Sequence, residues 1–212
     1  EFHVQPIAEG IFVYSQEISS RKLAELNLRR LYRTLAMLSD TNQAIVRMRH
    51  AIPQLFQTIC DIAVHKGGFV SASVGELTPD GSDLHMLAET GLPMSTFEYI
   101  QSLEGAAETK HERATLRAAR GGQRIVVNDV AQSPFRPNIR AAILSHGIQS
   151  FLVYPLKVAG QPRGVFLLTC AQADFFNADE LHLLDEMAGD LEFALEFAQE
   201  EERRIQAERA LQ

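Results

Sequence analysis

Residues 150–171 read Ser-Phe-Leu-Val-Tyr-Pro-Leu-Lys-Val-Ala-Gly-Gln-Pro-Arg-Gly-Val-Phe-Leu-Leu-Thr-Cys-Ala. Two apolar runs rich in β-branched and aromatic residues flank a Gly/Pro segment, which predicts an antiparallel hairpin. Both strands are apolar at nearly every position, so both faces of the sheet they build must be covered. Side chains alternate along a strand, which sends Leu152, Tyr154 and Leu156 to one face and Phe151 and Val153 to the other. Pro155 has no N–H to give a ladder and suits an edge, a bulge or a position whose donor would be unpaired.

Working outward, Phe69–Leu77 and Leu84–Thr90 flank Pro79-Asp80-Gly81 as a second hairpin, and Arg124-Ile125-Val126-Val127 adds a short strand. Pro53 opens a helix over Gln54–His65 whose Leu55, Phe56, Ile59, Cys60, Ile62 and Ala63 form a broad apolar face, closed by Gly67-Gly68. Ser95–Gly122 reads as helix interrupted at Gly105, and Asn138–His146 as a helix closed by Gly147. Asn177 caps a final helix running to about Gln212, with Asp179 and Glu180 in its first turn.

The helix predicted over Leu23–Arg49 places Ala24, Leu28, Leu31, Leu35, Leu38, Asn42 and Ile45 at alternating spacings of four and three. This is a coiled-coil seam, in which a polar Asn42 would fix the register between chains. The last helix repeats the pattern through Leu181, Leu184, Ala188, Leu191 and Leu195. The expectation is a parallel homodimer seamed by Leu28, Leu31, Leu35, Leu38, Leu184, Leu191 and Leu195. An amphipathic helix lying on its own sheet would give the same periodicity.

At 212 residues and 46% hydrophobic, the chain supports one ordinary core with helical arms. A net charge of −7 without a basic stripe argues against nucleic acid. Cys60 and Cys170 form no CxxC pair or disulfide framework, which fits a reducing, cytoplasmic setting. No apolar run has bilayer-spanning length, so no membrane insertion is expected.

The order of parts resembles a GAF domain over residues 51–198. The resemblance is carried by Gly67-Gly68-Phe69-Val70, by Ala118-Ala119-Arg120-Gly121-Gly122-Gln123-Arg124-Ile125-Val126-Val127-Asn128-Asp129, by Gly147–Leu156, by Gly160-Gln161-Pro162-Arg163-Gly164-Val165-Phe166, and by Phe176-Asn177-Ala178-Asp179-Glu180. It implies an α+β fold: an antiparallel sheet of five or six strands, helices on both faces, and long terminal helices. Family members hold a ligand under the Ser95–His146 segments. Glu17-Ile18-Ser19-Ser20-Arg21-Lys22 resembles the junction that closes PAS domains. This implies a PAS remnant over 1–18, a connecting helix over 19–50 and the start of a further connecting helix over 199–212.

The likeness is closest to sensory modules between a PAS domain and an output domain: a diguanylate cyclase, a phosphodiesterase in cyclic-di-GMP signalling, or a histidine kinase. The resemblance suggests Phe97, Tyr99, Phe135 and Ile143 as pocket walls and His111, Asn128, Arg140 and Tyr154 as polar groups orienting a small ligand. The ligand is left unidentified. Covalent bilin is disfavoured, since no cysteine lies between Cys60 and Cys170. The Asn-Lys-Phe-Asp-Glu signature of cyclic-nucleotide-binding members is incomplete: Phe175, Asp179 and Glu180 fit, but Thr169-Cys170-Ala171 stands where Asn-Lys is expected. Haem would need His111 or His146 as an axial ligand. One GAF branch reduces free methionine sulfoxide with loop cysteines, whereas Cys60 and Cys170 fall in predicted elements. A non-catalytic sensor or relay is therefore expected, with a ligand-free dimerisation or spacer module as the alternative.

Overall fold

The computed structural model describes residues 4–7, 10–13, 16–48, 51–105 and 113–210. Among the described residues, seven strands and six helices follow in the order β1 (Val4–Ile7), β2 (Gly10–Val13), α1 (Gln16–Met48), α2 (Ile52–His65), β3 (Ser71–Leu77), β4 (Leu84–Thr90), α3 (Met94–Gly105), α4 (Ala114–Gly121), β5 (Ile125–Val127), α5 (Pro137–Ser145), β6 (Ser150–Val158), β7 (Gln161–Cys170) and α6 (Ala178–Ala210). β1 and β2 form a two-stranded antiparallel hairpin. The other five strands form one antiparallel sheet in the order β4-β3-β7-β6-β5, with the hairpin of residues 150–171 at its centre. The expected α+β architecture is present. α1 differs from expectation in starting at Gln16, ahead of the start expected at residues 19–23.

Strand chemistry explains the local irregularities. Among the described residues β5 pairs only with Phe151–Val153, so that side of β6 has no paired strand at Pro155 and needs no donor there. The β6–β7 register shifts between Leu156 and Lys157. α6 takes up the donors near this bulge: Glu192 accepts from Lys157 N at 2.8 Å and Glu196 from Ala159 N at 2.6 Å. Gly164 is required by close approach, because a Cβ there would lie 2.1 Å from the Gly75 carbonyl oxygen.

The sheet carries two cores. On one face Ala72, Val74, Leu152, Leu156, Phe166, Leu168 and Cys170 meet Leu55, Ile59 and Cys60 of α2 and Leu184, Met187 and Leu191 of α6. α1 lies over these helices and sends Met37 and Ala44 into the same core. On the other face Phe151, Val153 and Val165 meet Ala114, Ala118 and Ala119 of α4 and Ile139 and Ile143 of α5.

The seam expected on α6 is thus spent inside the chain. Leu184 and Leu191 are 1% and 0% exposed, and Leu195 packs against the same core. On α1, Leu38 also packs inward and Leu31 is half-buried. The buried stripe is instead Thr34, Met37, Thr41 and Ala44. Asn42 is exposed rather than part of the buried stripe. Heptad periodicity reports an apolar stripe but not what covers it, and here the domain's own layer covers much of it.

A second stripe on α1 remains in solvent. Leu28, Tyr32, Leu35, Ser39, Asn42 and Val46 are all exposed and recur at spacings of four and three. At 100° per residue they lie roughly opposite the buried stripe. Thr34 bonds to Glu180 and Thr41 to Met187, seven residues apart on each helix, so α1 and α6 run parallel.

Candidate functional site

The candidate site is the layer between the sheet and the segments from Met94 to Ser145. The sheet contributes Phe151 and Val153 from β6 and Leu167 from β7. α3 presents Phe97 and Ile100, which share a helix face because they are three residues apart. The loop after β5 brings in Phe135, stacked on Phe151 with centroids 5.9 Å apart and planes at 19°. α5 adds Ile143. α4 faces the sheet with alanines, so its backbone comes close and little space remains. The resulting cavity is about 80 Å³ and its described lining is apolar apart from Thr115 and Thr169. The Thr169 hydroxyl already pairs with Ser71 Oγ at 2.7 Å.

The predicted site residues separate into two groups. Phe97, Phe135 and Ile143 come together around the cavity. Tyr99 does not: it is 52% exposed, since it follows Phe97 by two residues and so points about 200° away on the helix. Tyr154 lies on the opposite face of the sheet, where its hydroxyl donates to Asp185 of α6 at 2.7 Å. The alternation of β6 had already placed it there, and burial with the Asp185 bond holds its phenol up at about 12. Arg140 donates to Ser133 O at 3.1 Å and so braces the loop. Asn128 is tied to the segment before α6, where its Nδ2 donates to Phe176 O and its Oδ1 accepts from Phe176 N, both at 2.9 Å. His146 closes α5, with Nδ1 2.8 Å from Ala142 O. His111 lies outside the described residues. The sheet residues Phe151, Val153 and Leu167 were missed as pocket walls, although strand alternation was the signal that identifies them.

The thiols are placed for packing. Cys60 is fully buried, and burial beside Asp61 and Glu89 pushes it up to about 12. Cys170 is 3% exposed and also raised by burial. A nucleophilic thiolate needs the reverse, an accessible and electropositive setting. No group of three or more potential metal ligands occurs among the described residues. No described helix is long and apolar enough to cross a membrane.

A larger groove of about 400 Å³ opens on the helix side, between Ile52 and Phe56 of α2 and Leu195 and Gln199 of α6, with Glu76 and Arg163 also in its lining. Among the described residues it lacks the cover of short helices and loops that the smaller cavity has, and binding residues concentrate on loops over a rigid scaffold.

The GAF domain family profile matches residues 50–196. Among solved structures, a domain of a putative two-component sensor histidine kinase from Sinorhizobium meliloti 1021 is 18% identical with a TM-score of 0.56, covering 74% of this chain and 98% of that one. The free methionine-R-sulfoxide reductase of Neisseria meningitidis, in complex with its substrate, is 16% identical with a TM-score of 0.60, covering 79% and 90%. A phycocyanobilin-bound GAF domain from a cyanobacterial phytochrome is 17% identical with a TM-score of 0.55, covering 79% and 96%. At these identities the likeness is one of fold. No curated protein matches the chain. The profile covers more than half of the sequence, and the five-stranded antiparallel sheet with helices on both faces agrees with it, so the chain belongs to the GAF domain family.

Proposed function

We propose that this GAF domain is a non-catalytic relay module that passes a signal from a preceding PAS domain to an output domain through its two long helices. The observation that carries the reading is the parallel packing of α1 on α6. Thr34 meets Glu180, the third residue of α6, so some 18 residues of α1, about 27 Å of helix, precede that level. α1 ends at Met48 near the level of residue 194, and α6 runs on for about 24 Å. One helix leaves each end of the domain, and the two touch in between.

A cavity of about 80 Å³ is far below the roughly 300–1,000 Å³ of typical small-molecule sites. It suits a ligand of a few apolar atoms or none, and so favours relay over sensing of a tetrapyrrole or nucleotide. The ligand-free spacer is the second reading that this volume supports. Native mass spectrometry and the absorption spectrum of the purified protein test the point. The expected result is no bound chromophore and no metabolite, and a stoichiometric bound molecule would overturn it.

The reading includes a cytoplasmic homodimer through the exposed stripe of α1; on α6, Phe193 and Phe197 are also 69% and 38% exposed. Four of its six members, Leu28, Tyr32, Leu35 and Val46, are exposed hydrophobic residues, and contiguous exposed apolar patches are uncommon on monomers. Light scattering at micromolar concentration should give a dimer, and Leu28→Glu with Leu35→Glu should give a folded monomer. A monomeric parent protein would refute the dimer. The buried thiols support the absence of catalysis. Methionine sulfoxide reduction should be undetectable, and turnover lost on Cys170→Ser would reverse that conclusion.

A further inference from the structure

The sequence places Asn128 among groups that would orient a ligand, yet both ends of its side-chain amide are engaged by the segment leading to α6. Besides the two side-chain bonds to Phe176, the main-chain carbonyl of Asn128 accepts from Asp174 N at 2.8 Å. Asn128 is also the first residue of the covering loop that ends in Phe135, a wall of the small cavity. Phe176 sits against Phe175, with ring centroids 5.1 Å apart, and both are buried. The guanidinium of Arg33 on α1 lies over the Phe175 ring, 5.6 Å from its centroid. One residue on from Phe176, the Asn177 side chain caps α6 through the N–H groups of Asp179 and Glu180, both at 3.0 Å. Glu180 is fully buried, and its Oε2 accepts from the hydroxyl of Thr34, at 2.5 Å.

Two polar valences are open at this point. Glu180 Oε1 and Arg33 Nε are both buried and have no partner among the described residues. They carry opposite charge, and Arg33 adjoins the threonine that now holds Glu180. A buried carboxylate with one unmet oxygen is costly, and an arginine is the partner that satisfies it best. Adjacent residues lie about 100° apart on α1, so an exchange at Glu180 would be made by side-chain reach: the long Arg33 side chain swings there in place of the Thr34 hydroxyl, with α1 turning by much less than that angle. That arrangement is a second packing of the same two helices with its own contacts, as a switch requires.

We propose that Asn128 and Glu180 are the two ends of a mechanical junction. Asn128 fixes the Phe175-Phe176 platform that holds Arg33 away from Glu180, and displacement of the covering loop releases Arg33 to replace Thr34 there. Asn128 is thus a positioning residue, acting through Phe175 and Arg33. The proposal rests on the relay reading, since it names the contact that α1 and α6 exchange. Its test needs neither a dimer nor a neighbouring domain, so the two can fail separately.

The experiment follows the side-chain Nε–H signal of Arg33 by nuclear magnetic resonance in the 212-residue chain. Asn128→Ala should shift that signal and slow its exchange with solvent roughly tenfold, the worth of one buried hydrogen bond to a charged group. The shift should vanish in Asn128→Ala with Glu180→Gln. An Arg33 signal unchanged by Asn128→Ala, or changed equally with Glu180→Gln present, would overturn the proposal. Should Asn128→Ala unfold, Asn128→Asp keeps the acceptor for Phe176 N–H, loses the donor to Phe176 O and sets a carboxylate oxygen against that carbonyl. It should move the Arg33 signal in the same direction, and no movement would overturn the proposal equally. Thr34→Val, which removes the competing hydroxyl, should give the Arg33 shift without any loosening of the loop at residues 129–135.

Discussion

The two faces of one sheet are built from alternate residues of the same strands, yet they are covered in different ways. On the helix side Leu152, Phe166 and Leu168 are each 1% exposed, and so are or nearly are the residues opposite them on α2 and α6. On the other side Phe151 and Val153 are buried, but Phe97, Ile100 and Phe135 above them stay half-buried. The difference comes from the covering elements. α6, with 33 residues, lays a continuous stripe on the sheet, whereas α4 and α5, with 8 and 9, bring little more than two turns each and rely on the loop between β5 and α5. A face closed by long helices is over-determined. A face closed by short pieces can open locally at lower cost, which is where a ligand or a transmitted motion acts.

The sharpest way to break this comparison is to truncate an aromatic residue on each face. Phe166→Ala empties a site at the centre of the helix-side core and should cost about 3–5 kcal/mol. Phe135→Ala removes a half-buried ring from the loop and should cost about 1 kcal/mol. Urea denaturation measures both. Equal losses would mean that the two faces are equally committed, and the division between scaffold and movable cover would fall.

Much of this architecture was legible beforehand, for physical reasons that differ between elements. The strands of residues 150–171 announced themselves because a sheet buried on both sides must be apolar throughout. The Asn177 cap was legible because side-chain capping is local, and its two bonds are present. The destination of the α1 and α6 stripes was not, because leucines at heptad spacing look the same against another chain and against their own sheet. Of the candidate site, the apolar walls Phe97, Phe135 and Ile143 were readable as large residues in interrupted segments. Its polar members were not, because Asn128, Arg140 and Tyr154 are satisfied by partners 48, 7 and 31 residues away, or by none that spacing could reveal.

Tyr154 gives a pH-dependent version of the comparison. Its phenol is raised to about 12 by burial and by the bond to Asp185, against about 10 when unfolded. A raised folded value means that the contribution is complete below pH 10 and is lost as pH climbs from 10 through 12. Tyr154→Phe should therefore destabilise by about 1 kcal/mol at neutral pH and remove part of the alkaline loss of stability. Ultraviolet titration of the four tyrosines should show one fewer late-titrating group in the variant. A Tyr154 that titrates near 10 would mean that α6 does not hold this part of the sheet as tightly as the helix-side core implies.

The smallest effect is the most specific test of the pocket face. Phe97 and Tyr99 belong to the same helix, and composition alone treats both as wall material. Two residues apart on an α-helix they point about 200° from each other, so only one can meet the sheet. Phe97 lines the cavity, while Tyr99 has 52% of its surface in solvent. Tyr99→Ala should change stability by less than about 0.5 kcal/mol, as exposed substitutions away from a packed site do. It should also leave the methyl resonances of Ile143 and Val153 where they are. Phe97→Ala should move both, because its ring and those methyls border the same space. If Tyr99→Ala moved them instead, α3 would be turned by about half a revolution, and the walls of the cavity would have to be reassigned from the α3 side.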